Sequence, residues 1–538
     1  MLHAETGKMC YIMGVFTNEG GTMKKGLITL TLIASCACFA SAEQWKTLGT
    51  RPMGMGGAFV AMAQGPMAQY WNPGGLAMKS SASISGLEIP ITMGLEATGD
   101  ILKNTSEIGE MVNQLSAVKS AQRGHSAITP AQAADFVKTM SLLGSMTGEG
   151  KGAMIETAGG ANFKFAKVAI SINNYTSIGL NPYIDVRNLG LGTTGTSIQF
   201  AGNSGASAPS GYATAVSNLT TALNRLDGTN TNAVYKLLCG TGGNCDSSIT
   251  NNATLANALA AYASSLNITP TQVSEAAQNI SNYAATAGPV VNGAISGGSY
   301  TGNESNLTVD AASFTEIAFG YGKFVKFLDG LSIGANLKMI NGQMGHTGFR
   351  FMENSKTGDA FQMDNLKTSW APAIDLGFLW DINEKYPKLP FHPKMGLVIR
   401  NLNSPKFDRP DQVGGTYKLD RQARLGFAIH PAKFWSFALD MDMTKNKTAV
   451  RGFESRQLAL GTEINLVNAK AFNIPLRAGL MKNMAEKSSK MAYTMGTGIN
   501  LLYLHFDVAA AISSDTTIMD GEKIPTKGTI SASLGLLF

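Results

Sequence analysis

The chain has 538 residues, of which 15% are charged and 60 are glycine, with a formal net charge of +6. That length exceeds a single ordinary soluble core. A small net charge without a Lys/Arg cluster among aromatics excludes nucleic-acid binding, and six scattered histidines without ligand spacing give no metal or cofactor site.

The first element is a targeting segment. Met23-Lys24-Lys25 is a basic start, 26–39 an apolar run, and Ala40-Ser41-Ala42 a small-residue cleavage site. Residues 23–42 therefore read as a secretory signal peptide, with the mature chain starting at Glu43 and 1–22 an upstream extension. Ile33-Ala34-Ser35-Cys36 offers a competing lipobox that would lipidate Cys36. No later stretch reaches the ~18 apolar residues of a membrane helix, so any membrane crossing must use strands.

Residues 43–80 come next, centred on Arg-Pro-Met-Gly-Met-Gly-Gly-Ala from Arg51 and Trp-Asn-Pro-Gly-Gly from Trp71. Gly54, Gly56 and Gly57 permit angles and close approaches that a side chain forbids. Asn72-Pro73-Gly74-Gly75 reads as a tight bend. No strand precedes the glycines and no Lys-Ser/Thr pair follows, which removes phosphate binding. The stretch is apolar and compact, an insert that something larger encloses.

These residues resemble the N-terminal plug of the FadL-like outer-membrane barrels, whose pattern is Gly-Met-Gly-Gly-Ala followed by Asn-Pro-Ala. Here Gly74 stands for that alanine. A related branch, named after the plasmid-transfer protein TraF, is similar in its leader, its Asn-Pro turn and a helical stretch after the first strand. The resemblance implies a plug with Arg51, Gly54, Gly56, Gly57, Asn72 and Pro73 as its gating residues. It also implies passive transport of a hydrophobic ligand across the outer membrane.

Beyond the plug, 81–95 reads as a strand interrupted by Pro90, which cannot donate to a ladder. Residues 100–150 are helical in spacing, and 153–163 with 168–175 form a hairpin across Ala166-Lys167. Residues 190–310 are rich in Asn, Ala, Ser, Thr and Gly. They hold two amphipathic stretches, 212–238 and 269–287, and read as a partly helical extracellular insert. Cys239 and Cys245 lie six apart in this exported stretch and suit a local disulfide.

From Phe314 onward apolar residues alternate with polar ones, as in Leu331 to Met339, Trp435 to Met443 and Ile530 to Phe538. Connectors between these strands alternate short and long. That pattern predicts an all-β fold: a transmembrane antiparallel β-barrel of about 14 strands over 81–538. The chain ends on Phe538, resembling the C-terminal signature presented to the barrel insertion machinery. Lipid faces the apolar set. The opposite set is the lumen: Lys338, Asp375, Arg400, Arg424, Asp440, Glu463, Arg477 and Asp507, with Glu316 and Asp442. Both signs occur, so the interior can pair its own charges and hold a plug. Asp440 and Asp442 have no nucleophile or base beside them, and no enzyme is expected. The alternative to transport is a structural barrel serving secretion or conjugation without transport.

Overall fold

The structure, a computed structural model, describes residues 42–99, 108–191, 197–200, 207–240, 245–295, 298, 302–350, 366–469, 471–519 and 522–538. The leader and the lipobox at Cys36 lie outside the described residues.

Fourteen antiparallel strands close into a barrel. They are β1 (Gly86–Thr98), β2 (Gly152–Phe165), β3 (Val168–Tyr183), β4 (Asn306–Phe324), β5 (Leu331–Phe349), β6 (Lys367–Asp381) and β7 (Lys394–Arg400). The second half comprises β8 (Gln422–Ala432), β9 (Trp435–Asp442), β10 (Gln457–Asn468), β11 (Phe472–Asn483), β12 (Met491–Leu501), β13 (Leu504–Ser513) and β14 (Lys527–Leu537). Each strand pairs with its sequence neighbour, and β14 pairs with β1 to leave no edge. The alternation dictates the two faces. On β5, Ile333, Leu337 and Met339 are exposed, whereas Ser332, Asn336 and Lys338 are buried. An apolar outside and a polar inside is what a bilayer requires of a closed barrel.

Several boundaries differ from expectation. β1 starts at Gly86, not at Ser81, because 79–82 form a helical turn in which buried Ser81 accepts the Gly65 amide at 3.0 Å. Pro90 lies inside the wall and not at an edge. It pairs with Ser533 of β14, while the ladder to β2 runs from Glu88–Asn162 to Ile91–Gly159 with no pair between. β4 begins eight residues before Phe314, and β3 extends to Tyr183.

The long connectors share one rim, and helices from two of them merge. The β1–β2 connector carries α1 (Ile108–Arg123) and α2 (Pro130–Met146). The β3–β4 connector carries α3 (Ala213–Asn224), α4 (Ala233–Cys239), α5 (Asn252–Ser265) and α6 (Pro270–Ala294). Capping boxes at Thr129, Asn251 and Thr269 start α2, α5 and α6. Phe136, Met140 and Leu143 share one core with Leu219, Leu255, Ile280 and Val290. The two regions read separately from sequence, 100–150 and 190–310, thus build a single cap. Cys239 and Cys245 are disulfide-bonded, with Cα atoms 4.9 Å apart, at the end of α4.

The face assignment can be tested on β9. Leu439 is 40% exposed, and Arg there should cost about 2–4 kcal/mol in a urea refolding titration into lipid vesicles. The sequence alone makes Ala438→Arg the milder change, if the lumen has room. It has none: Ala438 is 2% exposed and belongs to the same buried cluster as Val60 and Ala61. Ala438→Arg should therefore cost at least as much as Leu439→Arg.

Candidate functional site: the filled lumen

Residues 42–85 run the height of the lumen. Ala42–Glu43 pair in parallel with Asn446–Lys447 of the β9–β10 connector at the long-loop rim, and the segment reaches β1 at the short-turn rim. Between them lie one-turn helices, Thr50–Gly54, Val60–Met62, Ala68–Trp71 and Pro73–Leu76. A chain this short in helix buries itself through aromatics: Trp45, Phe59, Tyr70 and Trp71 form one cluster with wall residues Ala158, Tyr175, Val398 and Ala459. Tyr70 and Trp71 donate to the carbonyls of Lys46 and Leu48, which closes the segment on itself.

Backbone groups sealed from water need partners, and the inner wall supplies them on all sides. Asp440 accepts the amides of Phe59 and Val60, both at 2.8 Å. Asn72 donates to the Phe378 carbonyl of β6 at 2.9 Å and accepts the Gly74 amide. Asn336 and Ser332 of β5 donate to the carbonyls of Gln69 and Gly74. Thr494 of β12 donates to the Gly54 carbonyl, and Lys164 of β2 to those of Ser81 and Ile84.

Close approach of backbone to wall requires wall positions without side chains. A band of inward glycines provides them. Gly322 of β4 pairs with Gly334 of β5, which pairs with Gly377 of β6. Gly396 of β7 pairs with Gly426 of β8, and Gly461 of β10 with Gly479 of β11. A Cβ at Gly334 or Gly377 would run into Pro73, and one at Gly461 or Gly479 into Met55 and Gly56. At Gly396 it would stand 2.8 Å from the Val60 carbonyl oxygen, and at Gly322 2.8 Å from the Ala77 amide nitrogen. The fit is reciprocal. Gly56 has φ +68°, and a Cβ on Gly74 would lie 2.9 Å from the Leu379 nitrogen, where the alanine of the resembling family would not fit unchanged.

The lumen charges pair. Arg51 forms a bidentate pair with Glu463 at 2.8 and 2.7 Å, and Glu463 also receives Arg477, which reaches Asp507 at 2.5 Å. Lys338 bridges Glu316 and Asp375, Arg400 binds Glu316 at 2.8 Å, and Arg424 binds Asp442 at 2.6 Å. The Arg400 guanidinium lies 4.2 Å from the Tyr70 ring centre, and that of Arg424 4.7 Å from the Trp45 ring centre. Breaking one partner of such buried pairs costs several kcal/mol. Of these pairs Arg51–Glu463 ties the segment to the wall, and the wall-to-wall pairs hold Arg400 and Arg424 against its aromatic rings. Asp440 and Asp442 share a face but serve different partners.

The long-loop mouth is crossed as well. Arg451 of the β9–β10 connector pairs with Asp310 at 2.9 Å, and its amide donates to Asn181 on the far wall. Phe407 of the β7–β8 connector folds inward onto Phe314, Ile340 and Met344. Space remains along the arc from β10 through β14 to β2. A cavity of about 320 Å³ opens at the short-turn side, lined by Arg51, Glu88, Glu463, Arg477, His505 and Asp507. Higher on the same arc lie cavities of about 50 Å³ and 270 Å³.

Sequence reading missed the wall glycines, the Lys164 clamp and the buried pair of Lys46 with Glu156. One signal was present: each of these glycines occupies an inward place in its strand's alternation, where a polar residue otherwise stands.

A closed barrel with lipid-facing apolar strands and a segment packed through its lumen defines an outer-membrane β-barrel. Residues 69–442 match the family model described as "F plasmid transfer operon, TraF, protein". The chain belongs to that family. Among solved structures it is similar to the monoaromatic hydrocarbon channel CymD (TM-score 0.38, 10% identity, 92% of this chain and 98% of that one). It is also similar to the P. putida toluene transporter TodX (0.37, 9%, 92% and 99%) and a Pseudomonas aeruginosa FadL homologue (0.37, 8%, 93% and 99%). No curated protein matches it.

Asp440→Ala strands two buried amides and should weaken the segment's seat by about 1–3 kcal/mol. Hydrogen exchange of residues 55–62 should then quicken several-fold while the β-strands keep their protection. Unchanged exchange there would show that Asp440 holds nothing.

Proposed function

We propose that this protein is a plugged outer-membrane barrel that displays a folded helical cap at the cell surface for plasmid transfer, anchoring a transfer partner there. Residues 43–80 are the plug, and Arg51, Gly54, Gly56, Gly57, Asn72 and Pro73 seat it. The observation that carries this reading is the cap: helices from two connectors share one hydrophobic core above a lumen already filled with protein. Building such a domain beside a closed mouth serves contact better than permeation. The family description supplies the process. The leader directs export, and its cleavage after Ala42 removes one of the two residues paired at the mouth and leaves Glu43 beside Lys447 of the mouth-crossing connector.

Passive transport of hydrophobic small molecules is the second reading. The unpaired ladder at Pro90 favours it, because an apolar molecule would leave sideways there. Against it, the largest of the three cavities on the arc from β10 to β2 sets the charged groups of Arg51, Glu463, Arg477 and Asp507 beside its apolar Phe59, Ile84 and Phe472, whereas sites for apolar ligands are mostly hydrophobic with few polar groups.

Replacing 207–295 by a short Gly/Ser linker separates the two. The first reading expects plasmid transfer between donor and recipient cells to fall to background while the barrel still folds and inserts. Uptake of a labelled long-chain fatty acid or toluene by vesicles holding the intact protein should equal that of empty vesicles. Uptake above empty vesicles, with transfer unaffected by the replacement, makes the transport reading the right one.

A further inference from the structure

We propose that the arc of lumen between β10 and β2 is a path for small hydrophilic solutes, ions and compact zwitterions, kept shut by the helix Thr50–Gly54. This inference rests on residues 43–80 being a plug.

The plug does not meet the wall evenly. From β4 to β11 it lies on the inward glycines, backbone against backbone, and the cavity left there, beside Tyr70 and Arg400, is only about 30 Å³. On the remaining arc it stands away from the wall, and cavities lie above and below one partition. The upper one, about 270 Å³, runs past Glu96, Ser513 and Lys527 to Ser489 and Lys490 at the long-loop rim. It shares Gln457, Met481 and Lys527 with the middle one, about 50 Å³, whose floor is Met53, Gly56 and Gly57. The lower one, about 320 Å³, begins at Arg51 and Pro52 and opens at Leu502 and Leu537 on the short-turn rim. Met53 faces the middle cavity while Arg51 and Pro52 face the lower, so the helix Thr50–Gly54 is the wall between them.

That partition is thin and held at few points. Met53 packs on Ala509 and Ala511 of β13, Thr50 meets Ser531 of β14 at 3.2 Å, Arg51 is tied to Glu463, and Gly54 lies against Gly496 of β12 and accepts from Thr494. The chemistry of the solute follows from the linings. Glu96 pairs with Lys527 at 2.8 Å, Lys46 pairs with Glu156, and Arg51, Glu463, Arg477 and Asp507 form a chain. These charges run the length of the path beside apolar residues such as Phe59, Phe472 and Met481, and buried ion pairs of this kind hold water next to them. Because both signs alternate along the path, it selects by size and not by sign of charge.

The test uses the purified full chain in planar bilayers with KCl. Trimming the partition by Met53→Ala should raise conductance severalfold over wild type, with a reversal potential near zero in a salt gradient. Val60→Ala removes a comparable buried side chain on the glycine-lined side and should leave conductance at the wild-type level. Retained heat-modifiable gel migration shows that each variant is folded. A chain lacking 44–82 separates the two claims. If it conducts strongly while Met53→Ala behaves like wild type or like Val60→Ala, the path is wrong and the plug stands. If it conducts no more than wild type, the plug reading falls and the path with it. A Met53→Ala pore that strongly prefers one sign of ion overturns the size-only chemistry.

Discussion

A peptide segment sealed inside a barrel must find partners for its amides and carbonyls, because no bulk solvent supplies them. This protein meets the constraint by bringing two backbones together. Glycines on neighbouring strands leave the wall bare, and the turns at Gly56 and Asn72–Pro73 settle into the space. Asp440, Asn336, Ser332 and Thr494 then accept or donate where the glycines end. Ion pairs add position more than stability, since desolvating them offsets much of their attraction. Arg51 shows the difference. Its bidentate grip on Glu463 fixes where the helix Thr50–Gly54 sits, while the glycine contacts fix how close it comes.

The same logic governs the two ends. At the long-loop mouth, the connector from β9 to β10 crosses to β3 and β4 and carries Ala42–Glu43 as an added strand. The N-terminal segment is therefore held at its beginning by a loop and at its end by Lys164, with the wall between. Above the mouth the cap's helices bury their apolar faces mainly on one another, and Ala97 of β1 and Ala153 of β2 join the same core. Gly144 of α2 allows that packing, since a Cβ there would run into the Thr286 carbonyl of α6. A surface domain of this kind presents mostly polar side chains. Leu266 is one of the few large apolar residues it exposes.

Much of the barrel was legible in the chain. Alternation on β5, β9 and β14 is local and survives without knowledge of neighbours, so the faces and the lumen charges follow from it. Short and long connectors likewise mark the two rims. The glycine band was not legible, because it exists only once strand register aligns Gly322 with Gly334 and Gly334 with Gly377, and the alternation within one strand does not give that register. A helical cap over 190–310 was legible, but its union with 100–150 was not: α2 and α6 each look amphipathic alone, and nothing local says that they face each other. Ser81 was read into a strand because a short polar run before Gly86 carries no helical period. Ala438 looked like open lumen because small residues mark space only when the neighbour across the lumen is unknown.

The central claim is that the N-terminal segment lies against the inner wall in one fixed register. A Cβ built on Gly57 lies 4.0 Å from that of Ala459, within the separation a disulfide bridges. Cysteines at both positions, Gly57→Cys with Ala459→Cys, place a bond between the segment and β10, at a cost of about 1–3 kcal/mol for a side chain at the positive φ of Gly57. The account predicts that nearly all of the protein in isolated outer membranes carries this bond, seen as a shift in gel mobility reversed by reductant. Two free thiols, both open to a maleimide label, would contradict it.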